Sequence, residues 1–135
     1  MGSAVPPQTE ETTVAIALVR RGDCWLVGQR AAGKTLAGYA EFPGGKCLPD
    51  EAPEQCACRE CFEETGIEVR VLELQQQTTH DYPHGRLRLF FFRCVPVNNV
   101  EPRPPFRWVE RSDLVKLRFP PANDAVIEQL TQGEA

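Results

Sequence analysis

Little in this 135-residue chain points to a membrane, a secretory route or a covalent catalyst. No apolar run approaches the roughly 20 residues that a membrane-spanning helix needs, and the N-terminus carries no apolar signal core. Positive charge is in deficit: 15 Lys and Arg stand against 19 Asp and Glu, a net charge of −4. That balance argues against nucleic acid as a standing partner, because no basic stripe is present to meet a phosphate backbone. There are only two histidines. Ser112 and Thr35 have none beside them in sequence, so no nucleophile–base pair stands out. Internal repeats and low-complexity linkers are also missing. The six cysteines form no obvious disulfide framework. Cys56, Cys58 and Cys61 fall within one helical segment at angles that point them to different sides, so they do not converge on one metal. Reduced, mostly buried thiols in a cytoplasmic protein are the expectation.

What is present is the material of one compact domain: 41% hydrophobic and 25% charged residues. Residues 1–11 (MGSAVPPQTEE) read as a frayed polar leader in which Met1–Ser3 are native or a cloning remnant, and 12–132 as a single domain. Residues 12–20 and 24–29 read as a hairpin around Arg21-Gly22-Asp23. Residues 30–39 read as a loop, and Glu41-Phe42-Pro43-Gly44-Gly45 as a breaker cluster in which the glycines permit close approach of another group. A helix is expected over 52–64, capped by Asp50, with Pro53 in its first turn and Gly66 at its left-handed end. Residues 67–74 alternate as a strand with one wet face, which 75–82 extend. Residues 86–97 form the most apolar strand, expected in the centre of the sheet. A loop at 98–105, a short strand at 106–109, a helical turn over 110–114 begun by Ser112, and a terminal helix over 122–130 complete the pattern. Strands mixed with two helices predict an α/β/α sandwich around a mixed sheet. Tyr82, Phe90 and Trp108 are expected in the core or a pocket wall, and His80 and His84 in solvent.

The chemistry concentrates between Gly45 and Ile67. Glu60, Glu63 and Glu64 stand at i, i+3 and i+4, so a helix puts all three carboxylates on one face. Like charges this close repel, and hard oxygen ligands at this density suit Mg²⁺ or Mn²⁺. Taken alone, the three would read as a solvated charged face. With Gly45, Glu51, Arg59 and Gly66 at fixed spacings, the pattern G-x5-E-x7-R-E-U-x-E-E-x-G-U, U being bulky and apolar, is matched with one departure, Cys61. The chain therefore resembles the Nudix hydrolases, which cleave nucleoside diphosphates linked to another group. The resemblance implies the Nudix fold, a divalent metal held by the Gly44 carbonyl with Glu60, Glu63 and Glu64, and Glu60 as a further candidate for orienting or deprotonating water. It makes Arg59 the structural partner of Glu51.

Outside the motif the chain is similar to the MutT-type branch, which hydrolyses oxidised purine nucleoside triphosphates to the monophosphate and pyrophosphate. Glu41-Phe42-Pro43-Gly44-Gly45-Lys46 matches that branch's lead-in, Gln29-Arg30-Ala31-Ala32 a segment whose arginine contacts phosphate, and Phe119-Pro120-Pro121-Ala122-Asn123 a segment whose asparagine reads the purine edge. The resemblance thus implies Arg30, Glu41, Phe42, Pro43, Gly44 and Asn123 as substrate-binding residues. From composition alone, Asn123 serves equally as a cap for the terminal helix. The branch's further arginine falls at Gly85, beside Arg86, its loop histidine is replaced by Thr35, and Glu101 is the nearest candidate for its additional acidic ligand. Related branches cleave CTP or its methylated forms, ADP-sugars or dinucleoside polyphosphates, and a non-catalytic nucleotide-binding module is the alternative from another class. The expected partner is a small nucleotide, with no membrane and no stable nucleic acid, acting as a monomer or homodimer.

Overall fold

A computed structural model describes residues 10–132. The expected leader lies outside these except at its end, where Glu10 and Glu11 belong to the first strand, β1 (Glu10–Arg21). They are drawn into the sheet because their backbones face Gly85 and Arg86 of a parallel neighbour, which satisfies their ladder hydrogen bonds. The strands that follow are β2 (Cys24–Gln29), β3 (Ala40–Glu41), β4 (Gly44–Lys46), β5 (Val69–Tyr82), β6 (Gly85–Pro96) and β7 (Arg107–Glu110). The helices are α1 (Pro53–Thr65), α2 (Arg111–Leu114) and α3 (Asp124–Gln132), the last preceded by a 3₁₀ turn over Pro121–Asn123. The sheet runs β3-β2-β1-β6-β5, with β4 joined to β1 and β7 to β2. The β1–β6 pairing is parallel and the others are antiparallel, so the sheet is mixed. No helix among the described residues is long and apolar enough to cross a membrane.

Strand alternation separates two cores. On β1, Ala15, Ala17 and Val19 face α1 and pack with Cys56, Ala57, Cys61, Ile67 and Phe92. Leu18 faces the opposite side with Trp25, Phe91, Val109, Leu114, Val126 and Leu130, while Val14 and Ile16 pack at its margin. With α1 on one face and α2 and α3 on the other, the layers form the α/β/α sandwich.

Several local expectations change. Asp50 does not cap α1. It lies in the turn that Glu51 N–H closes onto Leu48 O at 3.0 Å, and the flanking residue is Ala52, whose N–H is satisfied by the Gln55 side chain at 3.1 Å. Gly44 and Gly45 form a strand rather than a break, because their lack of side chains lets them lie against Ile16 and Ala15. Ser112 sits inside α2 rather than beginning it, since Arg111 N–H already bonds Asp23 O at 2.9 Å. Tyr82 is exposed at the end of edge strand β5, whereas Phe90 and Trp108 are half-buried. His80 and His84 are exposed, and the six cysteines are free thiols.

The end of α1 is held from within. Thr65 is buried, its hydroxyl donates to Cys61 O at 2.8 Å, and its oxygen accepts the Ile67 N–H at 3.0 Å. Gly66 follows in the left-handed conformation that closes the helix. Thr65→Val leaves that buried N–H without an acceptor and is expected to cost about 1–3 kcal/mol. A lowered urea midpoint with an unchanged slope checks it.

Candidate active site

The site is built where β4, the α1 face and the start of α3 meet. Glu51 and Arg59 come first, because they fix the loop before α1 onto the helix. Arg59 Nε and Nη2 donate to the two Glu51 oxygens at 2.7 and 3.0 Å, a two-pronged pair. Arg59 Nη2 also donates to Lys46 O at 3.1 Å, and Glu51 accepts the Leu48 N–H at 3.0 Å. The guanidinium holds the Glu51 carboxyl down at about 2, helped by that backbone donor. Arg59 does more than pair with Glu51. Its Nη1 stands 3.2 Å from Glu60 and 3.1 Å from Glu63, so one cation relieves part of the repulsion among the three helix carboxylates.

The three are consequently not equivalent. Glu63 is exposed and turned to Arg59. Glu60 lies over Gly45: a Cβ at that position would stand 2.6 Å from both carboxylate oxygens. Glu64 accepts the Gly44 N–H at 3.1 Å. Gly44 itself is pressed onto β1, where a Cβ would fall 2.6 Å from Ala15 O. Two carboxylates thus converge on the Gly44-Gly45 pair, and the residue type at both positions follows from the space. Burial pushes the Glu64 carboxyl up to about 7, with Glu60 and Glu41 adding to the rise and the Gly44 N–H opposing it.

Among the described residues, no three His, Cys, Asp or Glu side chains converge as a ready metal cluster. Glu63 is held off by Arg59, and Glu101 is exposed in the loop before β7. The donor set still fits a hard divalent cation: all oxygen, with two carboxylates beside one glycine pair.

Beside the carboxylates opens a cavity of 240 Å³ lined by Val14, Ile16, Arg30, Glu41, Phe42, Gly44, Gly45, Pro120 and Asn123. Arg30 pairs with Glu41 at 3.3 Å, and its Nε donates to Thr35 O at 2.7 Å, so the 30–39 loop braces the guanidinium through its backbone. Phe42 is buried and stacks on Phe119 with centroids 4.9 Å apart. Pro43, buried behind it, accepts the Ala17 N–H at 2.9 Å and serves the wall rather than the opening. Asn123 is not a helix cap, since it lies within the 3₁₀ turn that runs into α3, with helical rather than extended neighbours. Sequence reasoning missed Val14, Ile16 and Phe119 as lining and backing residues, although the alternation of β1 places Val14 and Ile16 opposite the alanines. It also missed Arg103, whose Nη1 donates to Glu63 O at the end of α1 at 2.6 Å. No local pattern announces that contact, because it is made 40 residues away.

The raised Glu64 carboxyl makes a directional prediction for the metal-free protein. Its ordinary value is 4.5 and its folded value about 7, so its protonated form favours folding. That contribution is complete below pH 4.5 and is lost as pH rises through 7. Glu64→Gln, which cannot ionise, is therefore expected to melt higher than the parent at pH 8 and alike at pH 4, in thermal scans with a chelator present.

Comparison with known proteins agrees with this geometry. A family model described as the NUDIX domain matches residues 14–129. The 8-oxo-dGTP diphosphatase of Escherichia coli (strain K12) is 32% identical over 124 residues, covering 87% of this chain and 94% of that protein. The 8-oxo-dGTP diphosphatase of Haemophilus influenzae is 37% identical over 125 residues, covering 87% and 89%. The solution structure of the MutT protein of a methicillin-resistant Staphylococcus aureus superposes with a TM-score of 0.74 at 26% identity, covering 92% of this chain and 98% of that one. With the domain model spanning nearly all of the folded chain and the glycine, arginine and glutamates of its motif standing together in space, the chain belongs to the Nudix hydrolases.

Proposed function

We propose that this hydrolase converts nucleoside triphosphates to the monophosphate and pyrophosphate, with oxidised purine nucleotides such as 8-oxo-dGTP as preferred substrates and Mg²⁺ as the ion. The carrying observation is the juxtaposition of the Glu60–Glu64 pair with a cavity that ends at Asn123. The two relatives named as 8-oxo-dGTP diphosphatases support the substrate assignment. One domain, into whose first strand Glu10 and Glu11 are drawn, carries the reaction.

Glu60 and Glu64 with the Gly44 carbonyl would hold Mg²⁺, or Mn²⁺ in its place, and Glu63 would join them on leaving Arg59. Such an ion neutralises phosphate oxygens and acidifies a bound water. The protein's own residues do the rest. Glu60, whose carboxylate occupies the space above Gly45, is suited to orient the attacking water or accept its proton. Arg30, braced by Glu41 and the Thr35 carbonyl, presents its remaining N–H groups to a phosphate oxygen. Phe42, kept rigid by Phe119, offers a flat apolar wall to a base. The Asn123 amide supplies an NH₂ to the purine O6 and an oxygen to N7. In 8-oxoguanine N7 carries a proton and satisfies that oxygen. In guanine N7 is itself an acceptor, and the two lone pairs oppose each other, which penalises the undamaged base.

Specificity constants measured with Mg²⁺ are expected to rank 8-oxo-dGTP above dGTP and CTP. Equal values, or a preference for CTP, would defeat the substrate assignment while leaving the hydrolytic chemistry intact. Glu64→Gln is expected to abolish turnover while circular dichroism reports an intact fold, and near-normal activity in that variant would remove Glu64 from the metal site. Asn123→Ala is expected to narrow the 8-oxo-dGTP to dGTP ratio at least about tenfold, or ~1.4 kcal/mol, with the Mg²⁺ dependence unchanged.

A further inference from the structure

The sheet face that floors the catalytic cleft carries a second polar cavity at its other end. On β1, Ile16 lines the cleft and Arg20 lines this second cavity. Four residues of extended strand separate them, about 13 Å. Arg20 is joined there by Arg93 of β6 and Arg111 of α2, with Trp25 of β2 as a wall and Gln129 of α3 at the rim. Arginines from three different elements therefore meet around one space of 160 Å³.

Charge and hydrogen bonding both leave this space unsatisfied. Two carboxylates stand against the three guanidinium groups: Glu73 is 2.8 Å from Arg93, and Asp23 is 3.5 Å from Arg111 and 3.9 Å from Arg20. Three positive and two negative charges leave the cluster one positive charge in excess. Each of those ion pairs engages one nitrogen of a group that carries five N–H donors, so donors remain in every fork. Trp25 is 3% exposed, and its buried Nε1 has no hydrogen-bond partner among the described residues.

The shape selects among anions. A space of 160 Å³ has room for one or two phosphoryl groups. A carboxylate offers two oxygens in one plane. A phosphoryl group directs its oxygens tetrahedrally and can meet forks arriving from three directions. We propose that this cavity is a binding site for a phosphate-class oxyanion, separate from the catalytic cleft, in which Arg20, Arg93 and Arg111 supply the charge and donors and the Trp25 ring a wall. The site also adjoins the helix that follows Asn123: Gln75 donates to Gln129 at 2.8 Å, and Gln129 donates to Gln76 at 3.0 Å, tying α3 to β5 at the cavity's edge.

The two tryptophans allow a direct test on the whole chain without metal. The indole ¹⁵N–¹H resonances of Trp25 and Trp108, each assigned through bonds, are followed while inorganic phosphate or, separately, pyrophosphate is added at constant ionic strength. The Trp25 resonance is expected to move and saturate with at least one of the two, while that of Trp108 stays in place. Arg93→Gln and Arg20→Gln are each expected to weaken the apparent affinity about tenfold, or ~1.4 kcal/mol. A Trp25 signal indifferent to both anions overturns the proposal, and so does a response that neither arginine substitution weakens. Saturation by pyrophosphate alone assigns the site to a diphosphate, and saturation by both assigns it to a single phosphoryl group.

Discussion

The two-pronged pair between Arg59 and Glu51 is the contact on which the rest of the site depends. It joins a loop residue to a helix residue at 2.7 and 3.0 Å, and the same guanidinium takes hold of Lys46 O at the end of β4. Loop, helix and strand are thereby fixed to one another within a single side chain's reach. Arg59 also sits against Glu60 and Glu63, so the charge that organises the scaffold also tempers the repulsion among the carboxylates. Glu64 makes no such pair and bears the cost of partial burial, which pushes its carboxyl upward.

The two glycines complete this arrangement through space rather than flexibility. Gly44 must fit against the backbone of β1, and Gly45 must leave room for the Glu60 carboxylate. Each side chain they lack is a volume that another group occupies. The same strand β1 supports both cores and the cleft floor, because alternate residues serve opposite faces. Its length also gives it two cavities on one face, one at Ile16 and the other at Arg20.

Much of the fold was legible because its elements are locally specified. The β1–β2 hairpin, the β5–β6 pair, Pro53 and Gly66 at the ends of α1 and the 30–39 loop follow from patterns a few residues long. Reading failed where a distant partner overrode the local signal. Asp50 looked like a cap, but the preceding turn used its position. Gly44-Gly45 looked like a break, but a neighbouring strand paired with it. Glu10 and Glu11 looked like leader, but β6 extended the ladder to meet them.

The spacing of Glu51, Arg59, Glu60, Glu63 and Glu64 determined by itself that acidic groups share one helical face with an arginine among them, because helix geometry is a local property of the chain. Only the tertiary structure decided that Glu64 is half-buried against Gly44 and that Asn123 lines a cavity rather than capping a helix. The arginine cavity belongs wholly to that second class. Its residues lie on β1, β6 and α2, far apart in sequence, and the parallel pairing of β1 with β6 and the docking of α2 and α3 bring them together. Burial and proximity across elements are properties of the packed chain, and no local pattern of side chains encodes them.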